Sequence, residues 1–411
     1  MSEKLMKHFH VQGDLVVWMI FLLLCSISII EVYSASSSMT YKSGAFWEPI
    51  LKHGLFVGLG MVVAWVVHKT PCKFFKFGSV VLLLVSYLLL VVALFSAKVN
   101  GAARWVGSGF ISIQPSELAK VSLIGFVALI ASQIRSEGHI SKLGMKIICI
   151  STGMALLLIF TENGSTAVLI GGVIFLMLCY AKAPNKFLGW IVGVGAISAI
   201  SIATLFLSLT DKQLDAMQNH PIFHRVPTWV HRLKASELPT NPQDYDIYKN
   251  VQVTHAQIAI ATGGVIGEGP GNSVQRDYLP QAFSDFIYAI IIEEWGIVGA
   301  AFVMFLYLLL MYRALRIAGR CSSLFPAYLV MGLALMMVTQ ALMNMAVAVG
   351  AMPVTGQPLP LISKGGTSTF ISCAYIGMIL SVSWSARKRD EAPIISEEGT
   401  TEVLELENKE V

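Results

Sequence analysis

One stretch of the chain concentrates residues able to do proton and anion chemistry. From Ala261 to Gly299 it reads ATGGVIGEGPGNSVQRDYLPQAFSDFIYAIIIEEWGIVG. Asp285 stands where a glycine-rich polar segment meets a long apolar run, and Glu293 and Glu294 lie inside that run. A carboxylate within hydrogen-bond reach of a hydroxyl can act as its general base. A charge in or at the edge of a membrane span is costly and marks a functional site by default. Arg276 brings to the same end a planar guanidinium suited to phosphate. If Asp285 opens the helix, Glu293 lies roughly 12 Å deeper and about 80° around the axis. Glu294 then faces the opposite side, and both glutamates are expected to find partners within the bundle rather than share the chemistry of Asp285.

The elements that must position these groups are membrane helices. Of 411 residues, 55% are hydrophobic and only 13% charged, and the mean hydropathy is +0.68. A soluble domain carries about a quarter charged residues. Apolar stretches of about 20 residues, the length that crosses a bilayer core, recur along the chain. The expected fold is an all-α integral membrane protein with ten spans, at 15–34, 50–68, 76–95, 116–133, 145–161, 164–180, 187–208, 285–311, 324–349 and 366–384. The membrane domain is then 15–384, flanked by a 1–14 cytoplasmic N-terminus and a cytoplasmic, disordered tail at 385–411. That tail turns from Arg387, Lys388 and Arg389 to acidic residues without apolar periodicity.

Lysine and arginine concentrate on one side of this layout, in the turns around Lys73, Lys142, Lys182, Arg316 and Arg387. By the positive-inside rule that side is cytoplasmic. The large 209–284 loop between spans seven and eight, with Asp285 at its end, is therefore expected outside. The six cysteines form no CxxC pair and none lies in that loop, so neither a disulfide framework nor a zinc site is indicated. The glycines from Gly263 to Gly271 fit neither a GxGxxG turn nor a P-loop. Neither a cytosolic nucleotide site nor a nucleic-acid surface is expected.

Several further residues face the same outer side. Arg104 and Trp105 form a cation–aromatic interfacial pair. Glu117 and Lys120 are three apart in the first turn after Pro115, which reads as a helix-start ion pair or as a polar wall of the outer site. Arg225, Trp229 and Arg232 share one face of a helix, suited to anchoring on anionic head groups or to binding phosphate. The 349–365 segment, with Pro353, Pro358 and Pro360, is expected to be rigid non-helical backbone carrying Lys364. At membrane depth such backbone is tolerated only when buried in protein or lining a polar cavity. Glu31, at the end of the first span, lines a cavity or reaches for the interface. Asn163-Gly-Ser165 matches a glycosylation acceptor, but a turn so close to the bilayer argues against its use.

The VYSAS end of the first span, RWVGSGFISIQPSELAK, GEGPGNS with YLP and SDFIYAIIIEEWG, and PVTGQPLPLISKGGTS together resemble the SEDS family of shape, elongation, division and sporulation proteins. The chain is more similar to the division branch than to the elongation branch. The resemblance implies a peptidoglycan glycosyltransferase that polymerises lipid II, a disaccharide-peptide on undecaprenyl pyrophosphate. It implies a class B penicillin-binding protein transpeptidase and other divisome membrane proteins as partners. It also implies the bacterial cytoplasmic membrane at the division septum as location, with both termini inside. Asp285 stands where the family has its essential aspartate. The pattern departs from the family's at Gln281–Ser284, at Thr161–Gly164 and at Lys364.

A pyrophosphate leaving group needs cations rather than a general acid, so one carboxylate suffices, unlike the two-carboxylate hydrolases. Asp285 is the expected base. Arg104, Glu117, Lys120, Arg225, Arg232, Arg276 and Lys364 are the expected substrate-binding residues. No cofactor is implied with certainty, and a divalent cation, magnesium or manganese, is compatible with the phosphates. A lipid II flippase is the rival reading, since broken helices at depth also suit a transporter. The gathering of charge at the outer surface favours the polymerase.

Overall fold

The computed structural model describes residues 12–35, 48–96, 106–107, 113–218, 226–235, 251–279 and 284–390. Helices account for nearly all of it: α1 (Leu15–Ala35), α2 (Glu48–Lys69), α3 (Cys72–Leu94), α4 (Pro115–Gln133), α5 (Lys142–Phe160), α6 (Gly164–Tyr180) and α7 (Asn185–Ser208). Three short helices follow, α8 (Asp211–Gln218), α9 (Val226–Ala235) and α10 (Val251–Gly263). The long α11 (Ile287–Arg320), α12 (Leu324–Ala348) and α13 (Gly366–Asp390) complete the bundle. Among the described residues nine helices are long and apolar enough to cross a membrane. The remaining expected span, α6, is apolar but has 17 residues, just under that length. The protein is a multi-pass membrane protein.

Local chemistry sets the helix ends. Asp14 accepts from the main-chain N–H groups of Val16 and Val17 at 3.0 and 3.2 Å, capping α1. Pro115 occupies the first turn of α4, where its missing N–H costs nothing. Ser141 caps α5 through Gly144 N–H at 3.1 Å, and Asn163 caps α6 through Thr166 N–H at 3.3 Å. Asn163 is buried in this turn. A two-residue β-hairpin, Arg135–Ser136 against His139–Ile140, joins α4 to α5.

Burial separates centre from periphery. The apolar stretch of α12 is 72% buried and those of α4 and α13 67%, whereas that of α7 is 0% buried. α12 packs on α11, α4 and α6, and α13 lies along α2. There a Cβ on Gly377 would come within 2.6 Å of Ala64 O, so the small residue lets the backbones meet. The segment between α7 and α11 is not a plain loop. α9 forms as expected, and the Trp229 ring packs at a tilt against Phe160 and Phe206 with ring centroids 5.1 and 6.0 Å away. That ring therefore covers the ends of α5 and α7, which is a protein contact rather than a purely interfacial one.

Candidate functional site

The 349–365 segment leaves the helical fold between α12 and α13, begins exposed at 349–352 and turns inwards to a buried stretch at 359–363, where carbonyls need donors. Side chains from four helices supply them. Ser165 of α6 donates to Thr355 O at 2.9 Å, and Asn344 and Gln340 of α12 donate to Gln357 O at 2.8 Å and Pro358 O at 2.9 Å. Tyr307 of α11 donates to Pro360 O, and Ser28 of α1 to Ile362 O at 2.7 Å. Leu361, between the last two anchors, has φ 66, a left-handed conformation unusual for a bulky residue. Strain of about 1–3 kcal/mol persists only where the surroundings over-determine it, and the flanking carbonyl anchors do so here.

Asp285 sits against this segment, before α11 rather than on it, because the helix begins at Ile287 with Phe286 as its cap. Asn344 Nδ2, the same group that holds Gln357 O, donates to Asp285 O at 2.9 Å. Ser363 Oγ donates to Ser284 O at 2.6 Å and accepts from Leu359 N–H at 2.8 Å. Ser284 Oγ donates to Asp285 Oδ1 at 2.9 Å. Opposite lies Gly356, with φ 67, where a Cβ would stand 3.6 Å from Asp285 Oδ2. The backbone of Asp285 is thus clamped from two sides, and the residue as a whole is half-buried.

Glu293 and Glu294 belong to a separate construction. α11 breaks at Gly296 (φ 68, ψ −172), and the loop after α10 fills the break. In an intact helix Glu293 O and Glu294 O would accept from Ile297 and Val298 N–H. Instead they accept from Glu268 and Gly269 N–H at 3.0 and 2.9 Å, while Ile297 and Val298 N–H donate to Gly264 O and Val265 O at 3.1 and 3.3 Å. The loop exchanges its own main-chain groups for the missing helical ones. This contact excludes side chains: a Cβ on Gly267 would lie 2.3 Å from Glu294 O, and one on Gly296 2.2 Å from Val265 O. The two carboxylates then hold the rest of the loop. Glu293 accepts from Ser273 Oγ and from Val274 and Gln275 N–H, and Glu294 from Gly271 N–H and from Ser34 of α1. Their partners are the loop and α1. Glu31 is fully buried and accepts from Trp295 Nε1, which settles it as an internal group rather than an interfacial one.

The expected substrate-binding residues fall into three groups. Arg104 and Arg225 lie outside the described residues, and so does the side chain of Arg232. Glu117 and Lys120 do pair, at 2.7 Å, and Lys120 also donates to Gln340 Oε1 at 2.8 Å. Lys120 is 1% exposed, so in this arrangement it supports the Gln340 anchor instead of facing a cavity. Arg276 donates to Gly271 O at 2.7 Å and Ser34 Oγ at 2.8 Å and lies 3.9 Å from Glu294, engaged in the glycine loop. Lys364 remains partly exposed on the segment that carries Ser363. Burial, and then the neighbouring Lys52, push its ammonium below the usual lysine range. Sequence reasoning passed over Ser28, Ser165, Tyr307, Gln340 and Asn344. Gln340 and Asn344, one turn apart in an otherwise apolar span, carried a legible signal. Among the described residues no three His, Cys, Asp or Glu side chains form a metal-holding group.

The family model of FtsW, RodA and SpoVE cell cycle proteins matches residues 14–388. The chain belongs to this family, the SEDS proteins. A probable peptidoglycan glycosyltransferase FtsW of Halomonas elongata is 34% identical to it, over 89% of this chain and 90% of that one. A protein of the same description from Coxiella burnetii is 31% identical over 88% and 95%, and the stage V sporulation protein E of Bacillus subtilis 29% identical over 91% and 98%. Among solved structures, the rod shape determining protein RodA of Thermus thermophilus superposes with TM-score 0.61 at 20% identity, covering 93% of this chain and 98% of that one. A chain from a peptidoglycan synthase complex that coordinates polymerization and crosslinking superposes with TM-score 0.70 at 22% identity, covering 91% and 98%. These likenesses establish the SEDS fold for this chain.

Proposed function

We propose that this SEDS protein is a peptidoglycan glycosyltransferase that polymerises lipid II into glycan strands during septal wall synthesis. One observation carries the reading: Asp285, a half-buried residue, stands on a backbone clamped by Asn344 and Ser363. A general base must be held at a fixed distance from the hydroxyl it deprotonates. Asp285 takes the proton of the acceptor hydroxyl as its oxygen bonds to the anomeric carbon of the donor sugar. The bond from that carbon to the phosphate oxygen breaks, and undecaprenyl pyrophosphate leaves with the electron pair. Lys364, on the segment facing Asp285, balances charge on the departing phosphates, as Arg225, Arg232 and Arg104 do where the substrate passes them. Glu117, Lys120 and Arg276 act behind the site as positioning residues, and no step is routed through a metal.

Relatives described as probable peptidoglycan glycosyltransferases FtsW support the reaction and its division role. The fold shared with a chain of a peptidoglycan synthase complex, in which polymerization and crosslinking are coordinated, supports a class B penicillin-binding transpeptidase as partner. The lysine and arginine asymmetry supports an outer 209–284 loop and cytoplasmic termini. The deciding experiment is polymerisation of purified lipid II by the reconstituted protein with its partner. Asp285→Asn keeps the shape of the side chain but removes the base, so the rate should fall by about a hundredfold to ten-thousandfold with membrane insertion intact. A wild-type rate would move the flippase reading to the front.

A further inference from the structure

α5 and α7 start side by side, at the end of the bundle away from Asp285, and leave a groove of about 490 Å³ between them. It is lined by Lys146, Cys149 and Ile150 of α5 and by Lys186, Phe187 and Trp190 of α7. The two walls repeat one pattern. Each carries a lysine near the helix start and a large apolar residue four positions later, Ile150 on α5 and Trp190 on α7. Residues four apart share a helix face, so each apolar side chain lies roughly 6 Å deeper than its lysine. Ile150 is 70% exposed and Trp190 61%, and α7 buries none of its apolar stretch, so the groove opens to the bilayer.

The charge here is one-sided. From Gly138 to Thr161 and from Asn163 to Thr210 the chain has no aspartate or glutamate, so α5, α6 and α7 hold no carboxylate. Glu137, in the hairpin before α5, is exposed. Neither Lys146 nor Lys186 makes an ion pair among the described residues. Basic pockets between membrane helices on the cytoplasmic side, where the lysine asymmetry puts this end, suit anionic head groups. A lysine above an apolar wall lays its stem along that wall and keeps its ammonium at head-group level. The extent of the groove favours a lipid over a protein. A partner helix crossing the bilayer needs a face about 30 Å long, whereas the lining residues cover about one helical turn on each wall.

We propose that this groove binds an anionic phospholipid, its phosphate between Lys146 and Lys186 and an acyl chain against Ile150, Phe187 and Trp190. The site is independent of the lipid II reading and would stand if that reading failed. The test is native mass spectrometry of the full chain released from nanodiscs of phosphatidylglycerol or of phosphatidylcholine. Wild type should retain phosphatidylglycerol and not phosphatidylcholine. Lys146→Gln with Lys186→Gln should weaken retention roughly thirtyfold, at one surface-cation contribution each. Lys146→Arg with Lys186→Arg keeps both charges and should keep the lipid. Lys142→Gln with Lys182→Gln removes the same charge from exposed lysines outside the groove and should leave retention unchanged. Equal retention of both lipids, an unchanged Lys146→Gln/Lys186→Gln protein, or an equal loss in the Lys142→Gln/Lys182→Gln control would overturn the proposal, the last in favour of diffuse surface attraction. Displacement by inorganic phosphate at millimolar concentration would replace the lipid with a free anion. A photo-crosslinking side chain in place of Trp190 should capture lipid in cell membranes, and a protein adduct instead would give the groove to a partner helix.

Discussion

Two stretches of this protein abandon the helix inside the bundle, and they solve the same backbone problem by opposite means. The 263–279 loop fills the break in α11 with its own main chain, trading hydrogen bonds group for group with residues 293–298. The 349–365 segment receives side-chain donors from α1, α6, α11 and α12. Main-chain exchange demands that side chains be absent, so its sequence mark is glycine. Side-chain anchoring demands isolated polar residues in apolar spans, and each anchor is a separate handle on the segment. Asp285 leans on the second construction, so under the proposed function the first is a matter of stability and the second a matter of catalytic geometry.

The largest effect that tests this division belongs to the glycine loop. Gly267→Val places a β-branched side chain at φ +87 and drives its Cβ to within 2.3 Å of Glu294 O, where only backbone could yield. Left-handed strain and overpacking together should cost about 2–5 kcal/mol. The melting temperature of the protein in detergent should fall steeply, and surviving folded protein should polymerise at a near-normal rate. A stable but inactive Gly267→Val protein would show that the loop takes part in chemistry and would erase the distinction.

The fold was largely legible because length and apolarity alone specify membrane helices, and among the described residues nine helices of the required kind occur where apolar runs were read. Asp285 was legible because charge at the edge of an apolar run has few innocent explanations. Its surroundings were not. Helical counting placed Glu293 and Glu294 on an unbroken α11, and nothing in a single sequence announces that Gly296 adopts φ 68. Lys120 read as the ion-pair partner of Glu117 or as a wall of the outer site; the local pair forms, but the bond to Gln340, 220 residues away, was not legible. Contacts at that separation leave no periodic trace.

A middle-sized effect belongs to Asn344. Its amide nitrogen joins Gln357 O to Asp285 O, so Asn344→Ala leaves two carbonyls without their donor. Each buried unsatisfied group costs about 1–3 kcal/mol. The loss should appear mainly in kcat, because Asp285 is released from its clamp, and less in lipid II affinity. Single-turnover polymerisation separates the two. A variant that loses only thermal stability would reduce Asn344 to a packing residue and weaken the contrast between the stretches.

The smallest effect concerns which stretch faces the phosphates. Arg276, on the glycine loop, is engaged by Gly271 O, Ser34 and Glu294, whereas Lys364 lies on the segment beside Asp285. Burial and Lys52 hold Lys364 below its usual pKa. It therefore loses its charge earlier than an ordinary lysine as pH rises, so phosphate stabilisation should fade on the alkaline side below about pH 10.4. Folding stability should move the other way. The folded state binds the Lys364 proton less tightly than the unfolded chain, and stability rises with pH between the lowered and the ordinary value. An arginine stays charged throughout. Lys364→Arg should thus flatten the alkaline limb of the polymerisation rate, while Arg276→Gln should lower stability and leave the limb where it is. The reverse pattern would assign the phosphates to the loop. An alkaline limb untouched by either change would mean that another group titrates there and that Lys364 does not hold the leaving group.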